Sequence, residues 1–503
     1  MTAYHHNLFV LFEKASQIAP EIKDLVFNEE SFTSEYFADI QEQVKKHKRF
    51  IVTTAVSGKM VDENFLDALR NYSERNEALI LVLPCEDVAS RKSIHKWELD
   101  HRLKDCRIIF KDLYLNNNIY INDIKVSAKQ IEPLRGLQRF TQANGSTIIA
   151  STKQYLQFVA NSNVKLPRAL MTTGSVTVPD YMTDKYMSKR TSKIAEFDHV
   201  RGCIIVEIED DEVFHFRQVQ AIDDGSFIDL GIEYRADGTI ADVEGTVVVF
   251  GDSHVGAHDL DVMKKQEEIV KEIRCKDIIL HDIFNASSIT HHDIGKPAIK
   301  AAKAMKGLGS LETEGNVLVK YLEEVGSWIP GKLVIVKSNH DEHLDRYLTE
   351  GRFINDPTNF YFSLDLVKKL IEGSDPLKYM IEEVIGFTKD VNTDILWLER
   401  DVDYPVYGIE NGSHGDIGSN GAKGSLVGME KSYGKATVGH SHVAGIHRQV
   451  FSVGTSSHLR LDYNKGASSW TNSLCLTYPS GSRQLINVIA NTKTGQSSWR
   501  LKD

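Results

Sequence analysis

Three short apolar runs in the second half of the chain each lead directly into a polar motif. The runs are TVVVF, DIILH and LVIVK, and the motifs are GDSHVG (251–256), HDIFN (281–285) and SNHDEH (338–343). Short runs rich in β-branched residues are typical of strands that are buried on both faces of a parallel sheet. Parallel strands bring their carboxyl ends to one edge of the sheet, so this pattern predicts an α/β fold in which the three motifs meet.

The segments between these runs have apolar residues at helical spacing. They predict helices over 260–274, 297–305 and 311–328. An order of strand, helix, strand, helices and strand predicts right-handed crossovers in a largely parallel sheet. We therefore place one α/β domain at 245–503, with short strands and Gly-, Asn- and Ser-rich turns after about residue 390.

The first half of the chain carries fewer signals. The runs KRFIVTTAVSG and ALILVLPCED predict buried strands, and a hairpin is predicted with its turn at Asn116 to Asn118. We place an N-terminal α/β domain of unknown role at 1–195 and a β-rich connector at 196–244. Before residue 245 the sequence shows no group of residues with the spacing of metal ligands or of a nucleophile and its base.

Composition excludes some classes of protein. No apolar run is long enough to span a membrane, and the first residues do not have the pattern of a secretory signal. The five cysteines are scattered and never in a CxxC spacing, which is typical of reduced thiols in a cytosolic protein. We therefore expect a cytoplasmic protein with no membrane partner.

Two further motifs, HGD (414–416) and GHSH (439–442), complete a set of five that combines carboxylate, amide and imidazole groups. Two divalent ions about 3.5–4 Å apart grip both oxygens of an in-line displacement at phosphorus. Such a pair needs a bridging carboxylate, together with neutral ligands that leave net positive charge for a phosphate. The chain offers this mixture without a thiolate, which suits Mn²⁺, Fe²⁺ or Zn²⁺. We predict two divalent ions, with Mn²⁺ as the functional metal.

The net charge of −11 argues mildly against a protein that coats nucleic acid. Two divalent ions would add about +4 where a phosphate must lie, because bound cations dominate the local charge. The net negative charge of the chain therefore does not exclude a polyanionic substrate.

In order and spacing, the five motifs resemble the calcineurin-like metallophosphoesterase superfamily over about 246–460. The resemblance implies a β-sandwich flanked by helices for the C-terminal domain, and phosphoesterase activity. It also implies a role for each motif residue. Asp252, His254 and His442 would bind a first ion, Asp282 would bridge, and Asn339, His414 and His440 would bind a second. His340 would contact the phosphate and protonate the leaving oxygen, assisted by Asp341.

Within the superfamily, DIF at 282–284 and NHD at 339–341 look most like the nuclease branch, of the SbcD type. A large N-terminal region ahead of such a domain resembles the first-step-transfer DNases of T-five-type bacteriophages. That resemblance implies manganese dependence, degradation of host DNA and a homo-oligomer. One departure is His281, where the superfamily usually has Gly before the bridging Asp; a second is Asn285, where Asp is common. Both alter the pocket beside the bridge.

Three functions follow from these patterns. The first is a two-metal-dependent phosphodiesterase acting on DNA, phage-encoded and active in the host cytoplasm. The second is a small-molecule phosphatase or cyclic-nucleotide phosphodiesterase on the same scaffold. The third is an inactive scaffold protein, against which the complete set of ligand positions argues.

Several polar residues near the motifs have two interpretations. Those expected to surround the metal ligands or to lie on the surface, without binding metal, are His258, Asp259, His343 and His458. The cluster His291 to Asp293 is either a solvated loop with a helix cap or a substrate contact. Arg346 and Arg448 either pair with phosphate or form salt bridges.

Overall fold

The computed structural model describes residues 26–28, 33–86, 96–162, 166, 168–181, 188–387, 394–461 and 464–502. The chain forms two compact units of mixed α/β structure. The first comprises the described residues of Met1–Val159, Arg168–Asp242 and Arg500–Asp503, and the second those of Ala160–Pro167 and Val243–Trp499. Residues 1–25, where the predicted N-terminal domain begins, lie outside the described residues.

The first unit contains fifteen described strands and four described α-helices. Its strands are β1 (Val26–Asn28), β2 (Arg49–Val56), β3 (Ala78–Cys85), β4 (Lys96–Glu98), β5 (Arg107–Ile108), β6 (Leu113–Asn116), β7 (Ile119–Lys125), β8 (Ser146–Ala150), β9 (Tyr155–Val159), β10 (Arg168–Thr172), β11 (Gly202–Ile208), β12 (Phe214–Gln220), β13 (Phe227–Asp229), β14 (Ile232–Tyr234) and β15 (Ile240–Asp242). Its helices are α1 (Ser34–Lys46), α2 (Glu63–Asn76), α3 (Gln138–Asn144) and α4 (Lys189–Phe197). A 3₁₀ turn covers His101–Asp105.

The main sheet of this unit has the order β12-β11-β2-β3-β5. Strands β2, β3 and β5 are parallel, as expected of runs that are buried along nearly their whole length. Helix α2 follows β2 and buries Phe65 and Leu69. It is capped by Asp62, whose side chain accepts from the Phe65 backbone N–H. Both predicted buried strands are therefore confirmed.

The segment 196–244 differs from the connector that we expected. Its strand β11 pairs antiparallel with β2 and with β12, so it extends the main sheet of the first unit. The reason is the run from Cys203 to Val206, which is fully buried and needs cover on both faces. Strands β13, β14 and β15 form a separate small sheet.

Strands β9, β10, β8, β7 and β6 follow one another in a further sheet. Its β6–β7 hairpin confirms the predicted turn, where Oδ1 of Asn116 accepts from the backbone N–H groups of Asn118 and Ile119 at 2.8 and 3.0 Å.

The second unit contains the remaining described elements. Its strands are β16 (Val247–Val249), β17 (Asp277–His281), β18 (Lys332–Val336), β19 (Asp394–Leu398), β20 (Pro405–Val406), β21 (Ile409–Glu410), β22 (Ala436–Val438), β23 (Gly445–His447), β24 (Val450–Ser452), β25 (Ser473–Thr477), β26 (Arg483–Asn487), β27 (Ile489–Ala490) and β28 (Ser497–Ser498). Its α-helices are α5 (Leu260–Ile273), α6 (Pro297–Met305), α7 (Leu311–Gly326), α8 (Glu342–Thr349), α9 (Phe360–Ile371), α10 (Pro376–Tyr379) and α11 (Leu426–Tyr433). Short 3₁₀ or π turns cover His291–Asp293, Arg352–Asn355, Met380–Ile385 and Ser419–Gly421.

A six-stranded sheet in the order β19-β18-β17-β16-β25-β26 forms the centre of this unit. Strands β16 to β19 are parallel, and β25 and β26 continue the sheet in antiparallel pairing. The three predicted strands and the helices between them are confirmed, with α7 ending two residues before the predicted end. The carboxyl ends of β16, β17 and β18 consequently lie at one edge.

Strands β20, β21, β22, β24 and β23 follow one another in another sheet of the second unit. Arg483 of β26 ties it to the six-stranded sheet, because its guanidinium donates at 2.6 Å to the carbonyls of both Ala436 and Gln449. Across the described ranges, no helix has both the length and the apolar character needed to cross a membrane.

Candidate metal centre

Hydrogen bonds to main-chain groups hold the first three motifs together at the carboxyl edge of the parallel strands. The backbone N–H of Ser253 donates to His281 at 3.0 Å, and that of His254 donates to Asp282 at 2.7 Å. The hydroxyl of Ser338 accepts from the backbone N–H of Asp282 at 2.9 Å. The motifs therefore meet where the sequence predicts, and the loops after the strands place their side chains.

One group of four donor residues is fully buried at this edge. The ligand atoms of Asp252, His254, Asp282 and His442 all lie within 4.8 Å of one another. Nε2 of His254 is 2.9 Å from Nε2 of His442, which is in turn 3.0 Å from Oδ2 of Asp252. These are the residues expected around a first ion, together with the expected bridge.

A second group of donors adjoins the first. Oδ1 of Asn339 lies 3.0 Å from Nε2 of His414 and 3.2 Å from Nδ1 of His440. Oδ2 of Asp282 lies 3.3 Å from Nε2 of His414 and 3.8 Å from Nε2 of His254, so this single oxygen faces both groups. All seven predicted ligand residues are thus brought together.

These separations fit donors that share a cation. Two ligands that are each about 2.1 Å from one ion lie about 3.0–3.4 Å from each other in octahedral or tetrahedral arrangements. The facing nitrogens of His254 and His442 are the clearest case, since two neutral imidazoles that present lone pairs to each other repel unless a proton or a metal lies between them. The donor chemistry and spacing therefore suit a divalent cation.

The backbone at the donors is strained. His254, Asp282, His440 and His442 have φ of 42°, 44°, 69° and 56°. A left-handed conformation costs about 1–2 kcal/mol for a residue with a side chain. Strain of this kind concentrates at functional sites, where the surroundings hold it in place. Four of the seven donors have this conformation, a concentration of strain that is typical of functional sites.

Burial and opposite charges set the protonation of the donors. Burial opposes protonation of His414, but attraction to Asp282 and Asp252 outweighs it and raises the pKa of His414 to about 9. Burial also opposes ionisation of Asp282, but His414 and His254 hold the pKa of Asp282 well below its usual range. Burial lowers the pKa of His254 to about 3. A metal ion competes with the proton on His414, because an imidazole binds metal only when it is neutral.

His340 lies beside the donors without belonging to either group. It is half-buried, and its ring centroid is 4.5 Å from that of His254. Its backbone N–H donates to Oδ1 of Asp282 at 3.2 Å. The ring is therefore placed to reach a group bound at the donors.

We expected Asp341 to assist His340 directly, but its carboxylate contacts the backbone of two loops instead. Its two carboxylate oxygens accept from the backbone N–H groups of Phe284 and Ser338, each at 3.0 Å. Burial, followed by repulsion from Asp282, raises the pKa of Asp341 to about 8. Asp341 thus clamps the second and third motif loops together, and it positions His340 through the backbone.

His281 and Gly439 explain how the motifs pack so closely. A side chain at 439 would collide with Oδ1 of Asp252 and press on Cβ of His281, so only glycine fits there. His281 is fully buried, and neither ring nitrogen has a hydrogen-bond partner among the described residues. Burial lowers the pKa of His281 to about 4. His281 therefore fills buried space beside His414, with ring centroids 5.5 Å apart, as a neutral ring.

Arg400 is a positioning residue that the sequence analysis missed. Its guanidinium makes two hydrogen bonds of 2.8 Å to the carboxylate of Asp416 and one of 3.0 Å to Glu342. Asp416 is two residues from His414, and Glu342 is two residues from His340. Arg400 follows β19 and lies far from both in sequence, so no local pattern marks it.

The remaining polar residues have structural partners. Arg346 pairs with Glu342 and Arg448 with Glu430, each at 3.0 Å. Nδ1 of His458 lies 2.9 Å from Asp259, and His258 packs on Tyr321. His291 is exposed, and its ring centroid is 5.8 Å from that of His343, which is 5.1 Å from that of His340, so both interpretations of this cluster stay open.

Comparison with known proteins gives one informative similarity. The chain is 28% identical to Protein A1 of Escherichia phage T5 over 479 residues, which cover 89% of this chain and 83% of that protein. No protein-family model matches the chain, and no solved structure matches it.

Replacing Arg400 tests its positioning role. In Arg400→Ala, Asp416 and Glu342 lose the cation that they share, so His414 and the loop of His340 are no longer held together. We expect Mn²⁺ to bind about 10–100-fold more weakly, as for other residues that orient metal ligands. Calorimetric titration of the full-length protein measures this. Arg346→Ala is the matched control, since it also removes a partner of Glu342 but leaves Asp416 paired; equal effects of the two substitutions would contradict the role.

Proposed function

We propose that this protein is a two-metal-dependent phosphodiesterase that cleaves DNA, with Mn²⁺ as its functional metal. The observation that carries the proposal is the single carboxylate oxygen of Asp282, which faces two adjoining groups of buried donors. Phosphodiester hydrolysis at paired ions uses such a bridge. The similarity to a phage T5 protein supports a phage-encoded protein. Action on host DNA in the host cytoplasm is part of the proposal and rests on the donor set.

The donor chemistry explains how phosphate would be attracted. Two carboxylates, Asp252 and Asp282, stand among an amide and imidazoles that are neutral when they bind metal. Divalent ions bound there would keep net positive charge for a phosphate and would lower the pKa of a water molecule. Asn339 and His440 contribute no negative charge, which preserves that surplus. The arrangement supports the calcineurin-like organisation that the motif order implies.

His340 supplies the general acid in this proposal. Its ring is next to the donors, is only half-buried and is not itself a donor of either group. In hydrolysis, a bond forms between the oxygen of water and phosphorus, and the bond from phosphorus to the leaving oxygen breaks. The leaving oxygen takes a proton from the His340 imidazolium, and a proton of the attacking water passes to solvent.

One set of assays tests the activity. Full-length protein is incubated with linear duplex, circular and single-stranded DNA and with p-nitrophenyl phosphate mono- and diesters, in Mn²⁺ and in EDTA. We expect cleavage of DNA and of the diester in Mn²⁺ and none in EDTA. Hydrolysis of small esters alone would indicate the small-molecule alternative, and inactivity on every substrate would indicate a scaffold protein.

Removing the negative charge of the bridging residue should prevent the two donor groups from holding two ions at once. In Asp282→Asn the shared oxygen becomes neutral, so two adjoining dications are no longer offset. We expect the metal content to fall from two ions to at most one and nearly all activity to be lost, while the protein remains folded. Elemental analysis with circular dichroism measures this, and the exposed Asp261→Asn serves as the control. Two retained ions would show that another carboxylate forms the bridge.

The role of His340 predicts a different outcome. His340→Ala should keep both ions and bind DNA, but should lower kcat by roughly 10²–10⁴-fold, the range for loss of a general acid. Single-turnover cleavage and metal analysis separate these effects, and His458→Ala provides an exposed histidine control. Loss of a bound ion in His340→Ala would instead identify His340 as a ligand.

A further inference from the structure

A basic segment borders the metal centre in this otherwise acidic chain. Residues 291–309 contain four lysines, Lys296, Lys300, Lys303 and Lys306, and one acidic residue, Asp293. The segment therefore carries a net charge of about +3, whereas the whole chain carries −11. Helix α6 lies within it and has no buried residue.

Only one of these lysines is used to hold the segment in place. Nζ of Lys303 lies 2.6 Å from Asp293 and donates to the carbonyl of Ser287 at 2.9 Å. Lys296, Lys300 and Lys306 are exposed, and none of them pairs with an acidic side chain in the described part of the chain. Three positive charges thus remain available to a partner.

The segment also borders a cavity of about 360 Å³. Its lining includes Thr290, Lys300, Lys303 and Arg352. Arg352 is held at the wall by Glu350 and by the carbonyl of Ile289. A cavity of this size accommodates a group as large as a nucleotide.

A series of ring contacts connects this segment to His340 at the metal centre. His340, His343 and His291 follow one another with centroid separations of 5.1 and 5.8 Å. At a rise of about 3.4 Å per nucleotide, a strand that passes His340 reaches His291 within roughly three nucleotides. The basic segment is therefore close enough to contact the substrate of the metal centre.

We propose that segment 291–309 guides the DNA strand, with Lys296, Lys300 and Lys306 binding phosphates a few nucleotides from the scissile one and the cavity receiving a nucleotide of that stretch. This inference rests on the proposed function and specifies how an acidic enzyme holds its polyanionic substrate. The exposed Ile299 and Met305 also suit a protein partner, but the unpaired lysines and the path to His340 favour nucleic acid.

The test compares two charge-matched triple variants of the full-length protein. The first replaces Lys296, Lys300 and Lys306 with Gln, and the second replaces Lys271, Lys276 and Lys332 with Gln. The control lysines are exposed and lie towards the amino ends of β17 and β18, at the opposite edge of the sheet. Binding of a labelled duplex oligonucleotide is measured by anisotropy across a salt series, in Mn²⁺ and in a His340→Asn background that keeps the DNA intact.

We expect the first variant to reduce the slope of log K against log salt concentration by about 2–3, since each phosphate contact contributes about 0.9. The control should keep the wild-type slope, and replacement of the same three lysines with Arg should restore binding. With His340 present, both variants should hydrolyse a small phosphodiester as the wild type does.

Two results would overturn this inference without overturning the proposed function. In the first, the wild type cleaves DNA and both triple variants give the same slope of log K against log salt concentration. In the second, the first variant binds DNA as the wild type does but has a changed mass in light scattering. The second result would identify a protein interface. A wild type that hydrolyses the small diester but neither binds nor cleaves DNA would overturn the proposed function as well.

Discussion

Nε2 of His254 and Nε2 of His442 lie 2.9 Å apart in a buried site, and Oδ2 of Asp282 faces this pair and the second donor group. Such a collection of lone pairs and charge is unfavourable without a cation, because burial strengthens repulsion as well as attraction. The rest of the second unit can be understood as the structure that holds these donors together. Metal binding and the stability of this edge are therefore expected to be coupled.

Several parts of the fold hold the donor residues at these short distances. The parallel strands bring the loops to one edge, and Asp341 joins two of the loops by accepting from their backbone N–H groups. Gly439 lets the last motif pass against Asp252, where a side chain would collide. Arg400 then links the loop of His340 to that of His414 through two carboxylates. Each of these contacts is separate from the donors, yet each fixes where a donor lies.

The sequence predicted what is local and periodic. Apolar runs identified β16, β17 and β18, and the polar residues after them identified the donors, because strand ends and ligand motifs are short-range patterns. The pairing of β11 with β2 was not predictable, since any buried strand carries a similar apolar run. Arg400 was missed because its partners are brought near only by folding. The contacts of Asp341 were misjudged because adjacency in NHD does not specify where a carboxylate points.

The distribution of charge is compatible with the anionic substrate that we propose for this acidic chain. A chain of net charge −11 repels DNA at long range, so attraction must come from a confined region where the local potential is positive. In the proposed function the metal centre supplies one such region. The segment 291–309, which carries the lysines, begins at His291, two histidine rings beyond His340. Close to both, a phosphate backbone meets positive charge; elsewhere it meets a surface with an acidic excess. Such an arrangement favours DNA that enters along one path over DNA that coats the protein.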